Sequence, residues 1–147
     1  MAEMNWEQQG EAALNGLAPL RFLIGEWRGS GQCYGDAVNG VFTVQPLLDG
    51  SWLEATEILT NPNGDELHSD LSLYRYNVEA EHLQVLQLFE HGHQSSNPIE
   101  LTNDGFRWIT GPGAPQLRYT TSDNSFSYSV ILPGEGAPSI EMTYKRA

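Results

Sequence analysis

Positive charge is scarce in this chain: one lysine, Lys145, and six arginines stand against 19 acidic residues, for a formal net charge of -12 at pH 7. A field of that sign repels phosphate backbones and anionic bilayer surfaces, so neither nucleic acid nor membrane is expected as a partner. Cysteine is scarcer still. Cys33 stands alone, which leaves no intramolecular disulfide and no cysteine-clustered zinc site, and a reducing, cytoplasmic setting is expected. Residues 1–16 lack the basic-then-apolar order of a secretory leader, and eighteen apolar residues never run together. A Gly-x-Ser-x-Gly nucleophile elbow and a glycine-rich phosphate loop are missing too, so no familiar hydrolase or nucleotide signature names a reaction.

What the chain has in quantity is aromatic surface and turn residues. Its 147 residues suit a single domain, 1–147, and 4 Trp, 6 Tyr and 5 Phe can fill a core with some surface left to line a pocket. Residues 1–22 form an N-terminal helical segment: Ala12, Ala13, Leu14, Leu17, Leu20 and Phe22 keep a loose helical spacing that Gly16 and Pro19 interrupt. Such a segment is expected to lie across a barrel mouth. From residue 23 to 147 the periodicity changes to two.

Strands are expected at the Gly25 motif and then over 41–47, 52–60, 67–76, 82–89, 98–101, 106–110, 116–121, 125–132 and 139–145. The intervening stretches, among them Leu48-Asp49-Gly50, Asn61-Pro62-Asn63-Gly64-Asp65 and Asn103-Asp104-Gly105, are rich in residues that accept the backbone angles of tight turns. Leu83, Val85, Gln87 and Phe89 share one face of their strand while Leu86 and Leu88 share the other, which predicts cover on both sides there. About ten short strands with no long helix between them predict an all-β fold with a short N-terminal helix, either an antiparallel sandwich or an antiparallel up-and-down barrel, and the barrel is the expectation taken forward.

The run Leu20-Arg21-Phe22-Leu23-Ile24-Gly25-Glu26-Trp27-Arg28-Gly29-Ser30-Gly31 resembles the opening motif of nitrobindin-type and other lipocalin-like families of the calycin group. Leu48-Asp49-Gly50-Ser51-Trp52-Leu53-Glu54 and Met142-Thr143-Tyr144-Lys145-Arg146 are closer to an uncharacterised bacterial lipocalin-like family than to nitrobindin itself. The resemblance implies a lipocalin-like barrel closed by Gly25, Trp27 and Arg146, with the guanidinium of the last strand across the indole of the first. It also implies a small hydrophobic molecule as ligand. Nitrobindin-type proteins bind heme through a histidine near the start of the last strand; here that stretch reads Gly136-Ala137-Pro138-Ser139, so heme is not carried over and no cofactor is expected.

Chemical candidates are few. Glu90-His91-Gly92-His93 has metal-ligand chemistry, but His91 and His93 would need a further placed donor such as His68 or His82, and two solvated histidines in a turn are the simpler reading. Glu54 and Glu57 have opposite parity on one strand and should face opposite sides, so they do not read as a catalytic pair. Cys33 has no basic neighbour to activate it and reads as a buried, inert thiol.

The better lead is a set of strand residues expected to line a cavity: Trp52, Glu54, Tyr74, Phe89, Trp108, Arg118 and Tyr128. An inward arginine could anchor an acidic group on an otherwise hydrophobic ligand. A barrel of eight to ten strands is just wide enough to be filled or hollow, and both remain open. Three functions follow: binding of a small, mostly hydrophobic molecule; an isomerase- or hydrolase-type enzyme in the same cavity; or a filled barrel acting as an interaction module or homodimer.

Overall fold

The computed structural model describes residues 3–147. Ten antiparallel strands, each paired with its sequence neighbours, close into one barrel: β1 (Gly25–Cys33), β2 (Asp36–Leu47), β3 (Trp52–Thr60), β4 (Glu66–Asn77), β5 (His82–Leu88), β6 (Gln94–Thr102), β7 (Gly105–Trp108), β8 (Gln116–Thr121), β9 (Ser125–Ile131) and β10 (Ile140–Arg146). Closure joins β1 to β10 in antiparallel register from Trp27↔Arg146 to Cys33↔Ile140. A closed sheet leaves no strand edge unpaired. Among the described residues no helix is long and apolar enough to cross a membrane.

Strand parity sorts the side chains. On β3, Leu53, Ala55, Glu57 and Leu59 are buried while their neighbours are more exposed, and β10 alternates in the same way through Ile140, Met142 and Tyr144. The outward Leu71 and Leu73 of β4 face Leu88 and Leu86 of β5 across the register, so the two-sided apolar pattern of β5 reflects a partly exposed leucine ladder on the outer wall.

One end of the barrel, the floor, is packed solid. Trp27 is fully buried, donates from Nε1 to the Leu23 carbonyl at 2.8 Å, and carries the Arg146 guanidinium 4.2 Å from its ring centroid. Arg146 also donates to the Ile24 carbonyl at 3.1 Å and to the carbonyl of Phe22. Gly25 sits beneath it at φ +131°, a backbone region that disfavours side chains. Above this lid lie contacting aromatic rings: Trp27 edge-on to Phe126 at 4.9 Å, Phe126 stacked on Tyr144 at 5.0 Å, and Phe106 stacked on Tyr119 at 4.4 Å.

The N-terminal segment belongs to this floor and not to the mouth, which corrects the expectation from sequence. Helix α1 (Trp6–Leu17) starts at a capping box in which Asn5 and Gln8 each satisfy the other's backbone N–H, and a 3-10 helix follows over Ala18–Leu23. Leu17, Leu20 and Leu23 are fully buried, Gly16 lies against the Tyr76 ring, and Arg21 donates to the Gly50 carbonyl at 2.8 Å. The reason is chain length. Only Ile24 separates the 3-10 helix from β1, and nine residues of strand span about 30 Å, so the helix stays at the end where β1 begins.

Candidate functional site

At the opposite end, the mouth, the interior is not filled. A cavity of about 180 Å³ opens there, with Tyr34, Phe89, Pro115 and Leu132 at its rim. The barrel is therefore filled at the floor and hollow at the mouth.

The cavity has two kinds of wall. Phe42 of β2, Leu117 and Tyr119 of β8, Val130 of β9 and Ile140 of β10 make an apolar side. Glu57 of β3, His68, Asp70 and Ser72 of β4 and Gln87 of β5 make a polar one. Strand register brings the polar side together: Glu57 is the Cα partner of Asp70, Ser72 is the partner of Gln87, and His68, Asp70 and Ser72 follow one another at every second position of β4.

Glu57 is 4% exposed and is held from across the barrel, accepting a hydrogen bond from the Tyr128 hydroxyl at 2.6 Å and another from Tyr144 at 2.7 Å. Burial pushes its carboxyl up from 4.5 to about 7; Asp70 adds to the rise, while the two tyrosine hydrogen bonds and His68 oppose it. Both phenols are raised by burial and then by the Glu57 charge, so they stay protonated and act as donors. His68 Nε2 lies 2.7 Å from Asp70 Oδ2, and that hydrogen bond raises the imidazole against the opposing effect of burial.

Ser72, 4% exposed, and Gln87, 9% exposed, form no side-chain hydrogen bond with another described residue. Donor atoms of Glu57, His68 and Asp70 all lie within 4.8 Å of one another, close enough to converge on a cation. A larger hollow of about 490 Å³ lies on the outer wall over β1 and β8–β10, lined by polar side chains such as Ser30, Ser127, Ser129 and Thr143, but it gathers no cluster of perturbed titratable groups.

The seven residues expected from sequence to line a cavity are scattered. Tyr128 and Phe89 line it. Tyr74 and Trp108 are buried, Tyr74 edge-on to Phe106 in the aromatic packing and Trp108 with its Nε1 unpartnered. Trp52, Glu54 and Arg118 face outward, which corrects their placement: Trp52 lies 5.5 Å from the Arg75 guanidinium, Glu54 accepts from Gln45 at 2.8 Å, and Arg118 pairs with Asp104 at 3.4 Å.

Arg28 and Arg107 also form exposed pairs on the outside, Arg75 bonds Gln84, Arg21 and Arg146 serve the floor, and Lys145 is exposed. None of the seven basic side chains reaches the cavity, so no arginine anchors an acid there. His91 and His93 are exposed in the mouth turn Glu90–Gly92 and just after it, and His82 sits at the floor end of β5.

The missed residues were Glu57, His68, Asp70, Ser72 and Gln87. Parity held the signal for Glu57: it falls in the row of Leu53, Ala55 and Leu59, and a carboxylate in an apolar row marks the inward member of the Glu54/Glu57 pair. The chain matches no family model, and no curated protein is similar enough to count as a relative.

Proposed function

We propose that this protein binds a small molecule with an apolar body in the mouth cavity of its barrel. The observation that carries the reading is the two-sided cavity: an apolar wall of Phe42, Leu117, Val130 and Ile140 faces polar groups, two of which, Ser72 and Gln87, have no side-chain hydrogen-bond partner among the described residues. Ligand sites are commonly built this way, from an apolar body with a few placed polar groups. At about 180 Å³ the space is below the ~300–1,000 Å³ usual for drug-sized ligands, so the occupant is small. Membership of the lipocalin-like group is part of the proposal, supported by the closed ten-strand barrel and by Arg146 lying across Trp27. A cytoplasmic location is also part of it, supported by the free thiol of Cys33. Native mass spectrometry of protein purified from its own host tests the reading. A retained small molecule supports it, whereas ligand-free protein that shows no thermal shift with any small apolar compound of a broad panel sinks it.

One observation favours a second reading, catalysis in the same cavity. Glu57 is raised to about 7, near the working pH of a general acid or base, with two phenols and a His68–Asp70 pair beside it. On this reading Glu57 moves the proton and the phenols orient its carboxylate. Turnover of a retained ligand, followed by NMR and abolished in Glu57→Gln, would establish catalysis; a ligand recovered unchanged after prolonged incubation counts against it.

A further inference from the structure

We infer that the ligand of the mouth cavity is a small organic cation, a primary ammonium group on an apolar body, with its head against Asp70, Ser72 and Gln87 and its body against Phe42 and Leu117. This rests on the ligand-binding reading above and names the chemical class. The first argument is a charge census. Seven basic side chains are all placed outside the cavity, while two carboxylates, Glu57 and Asp70, face each other inside it with only the His68 imidazole to offset them. Two carboxylates against one imidazole leave an excess of acidic over basic groups, in a site where low polarity strengthens every unscreened interaction. An anionic ligand meets repulsion there and a cation meets its complement.

The second argument is independent of charge. Ser72 and Gln87 are register partners, both more than nine-tenths buried, both lining the cavity and both without a hydrogen-bond partner among the described residues. Their side-chain polar atoms open on the cavity, unlike the sealed His82 Nε2 and Trp108 Nε1, so a ligand there can take the hydrogen bonds that the described residues leave free. Asp70 lies two residues before Ser72 on the same face, so a carboxylate, a hydroxyl and an amide carbonyl are acceptors on one wall. An –NH₃⁺ group offers three donors, one to each of those acceptors; the Ser72 hydroxyl and Gln87 amide can also donate, so the Asp70 carboxylate sets the preference for a cation.

A third argument concerns capture and fit. Phe42 and Tyr119 put aromatic surface on the cavity wall, and the net charge of -12 raises the concentration of cations around the protein as a whole. A volume of about 180 Å³ suits a one-ring or short-chain amine. A bare metal ion is a weaker match, because both Glu57 oxygens already accept from tyrosines, His68 is already bonded to Asp70, and an ion would leave the apolar wall unused.

The test is isothermal titration of the metal-stripped full chain with three shape-matched probes: 2-phenylethylamine, 2-phenylethanol and 3-phenylpropionate. The amine is expected to bind at least about ten-fold more tightly than the alcohol, as charged hydrogen bonds to a buried wall imply, and the acid not measurably. The N,N,N-trimethyl analogue, which keeps the charge but loses the donors, is expected to bind more weakly than the amine. That comparison needs only the unaltered protein. Asp70→Asn should bring the amine down to the affinity of the alcohol, and Ser72→Ala should weaken the amine selectively. If the alcohol or the acid binds as tightly as the amine, the pocket reading stands and the cation inference falls. If no probe binds, the cation inference falls, and the pocket reading stands or falls by the retained ligand and the broad panel. An amine preference that appears only with added zinc overturns the inference in favour of a metal site.

Discussion

Arg146 and Glu57 mark the two ends of the barrel, and each does work that a residue of similar size could not. Arg146 covers the Trp27 ring and reaches two carbonyls of the preceding segment, so Arg146→Ala removes a cation–π contact and two hydrogen bonds that tie β10 to the N-terminal helices. The expected cost is about 1–3 kcal/mol in urea unfolding, and Arg146→Lys should recover only part of it because an ammonium cannot bridge both carbonyls while covering the indole.

Glu57 sets a pH dependence. Its carboxyl is raised from 4.5 to about 7, so the folded state holds that proton more tightly than the unfolded chain does. The stabilisation is therefore fully present below pH 4.5 and is lost as pH rises through about 7, on the order of 3 kcal/mol in all. His68, also raised, loses its contribution in the same direction as pH rises. Asp70 and His68 from β4, Tyr128 from β9 and Tyr144 from β10 all face Glu57 and shape this titration. Urea midpoints at pH 5 and pH 8 should differ in the native protein and differ less in Glu57→Gln, where the His68 contribution remains; an unchanged difference in the variant would assign the effect to other groups.

At the scale of elements, strands meet through glycines that leave room for their neighbours. On β2, a Cβ at Gly40 would lie 2.1 Å from the Tyr144 hydroxyl and 2.8 Å from Met142 Cε. Gly40→Ala should displace that hydroxyl from Glu57 and cost about 1–3 kcal/mol, the range of an overpacked core. Thermal unfolding together with the shifted pH profile of Glu57 checks both effects. In α1, Gly16 lies against Tyr76, where a Cβ would meet the ring at 2.0 Å. Alanine there gains about 1 kcal/mol of helix propensity but loses the docking of α1, so Gly16→Ala should raise amide exchange across residues 6–17. Most strands were legible in the sequence because period-two burial and turn residues are local properties. β2 runs further back than expected, to Asp36, and β6 to Gln94, because pairing with long neighbours extends strands into polar sequence with little apolar signal. The helix was legible too, but its position was not inferred from the one fact that settles it, the short link to β1.

For the whole molecule, a net charge of -12 on a closed barrel means that self-repulsion opposes the folded state. Raising salt from about 0.02 to 0.3 M shortens the screening length to below 10 Å and should raise Tm by a few degrees, measured by differential scanning calorimetry. The amino-acid sequence by itself determined the strands: alternating apolar residues and turn chemistry every few residues specify an antiparallel all-β fold, since each cue acts within a strand or a turn, and only the resemblance of the Gly-x-Trp opening pointed to a barrel over a sandwich. Only the tertiary structure decided the site. Parity parts Glu54 from Glu57 and puts Glu57 in the apolar row, but that Glu57 then meets Asp70 from β4, Tyr128 from β9 and Tyr144 from β10 depends on register and closure between strands up to 87 residues apart. The same closure leaves the lysine and all six arginines outside the cavity and two carboxylates with one imidazole within it, a separation of charge that composition cannot express because it depends on which face of a curved sheet each residue occupies.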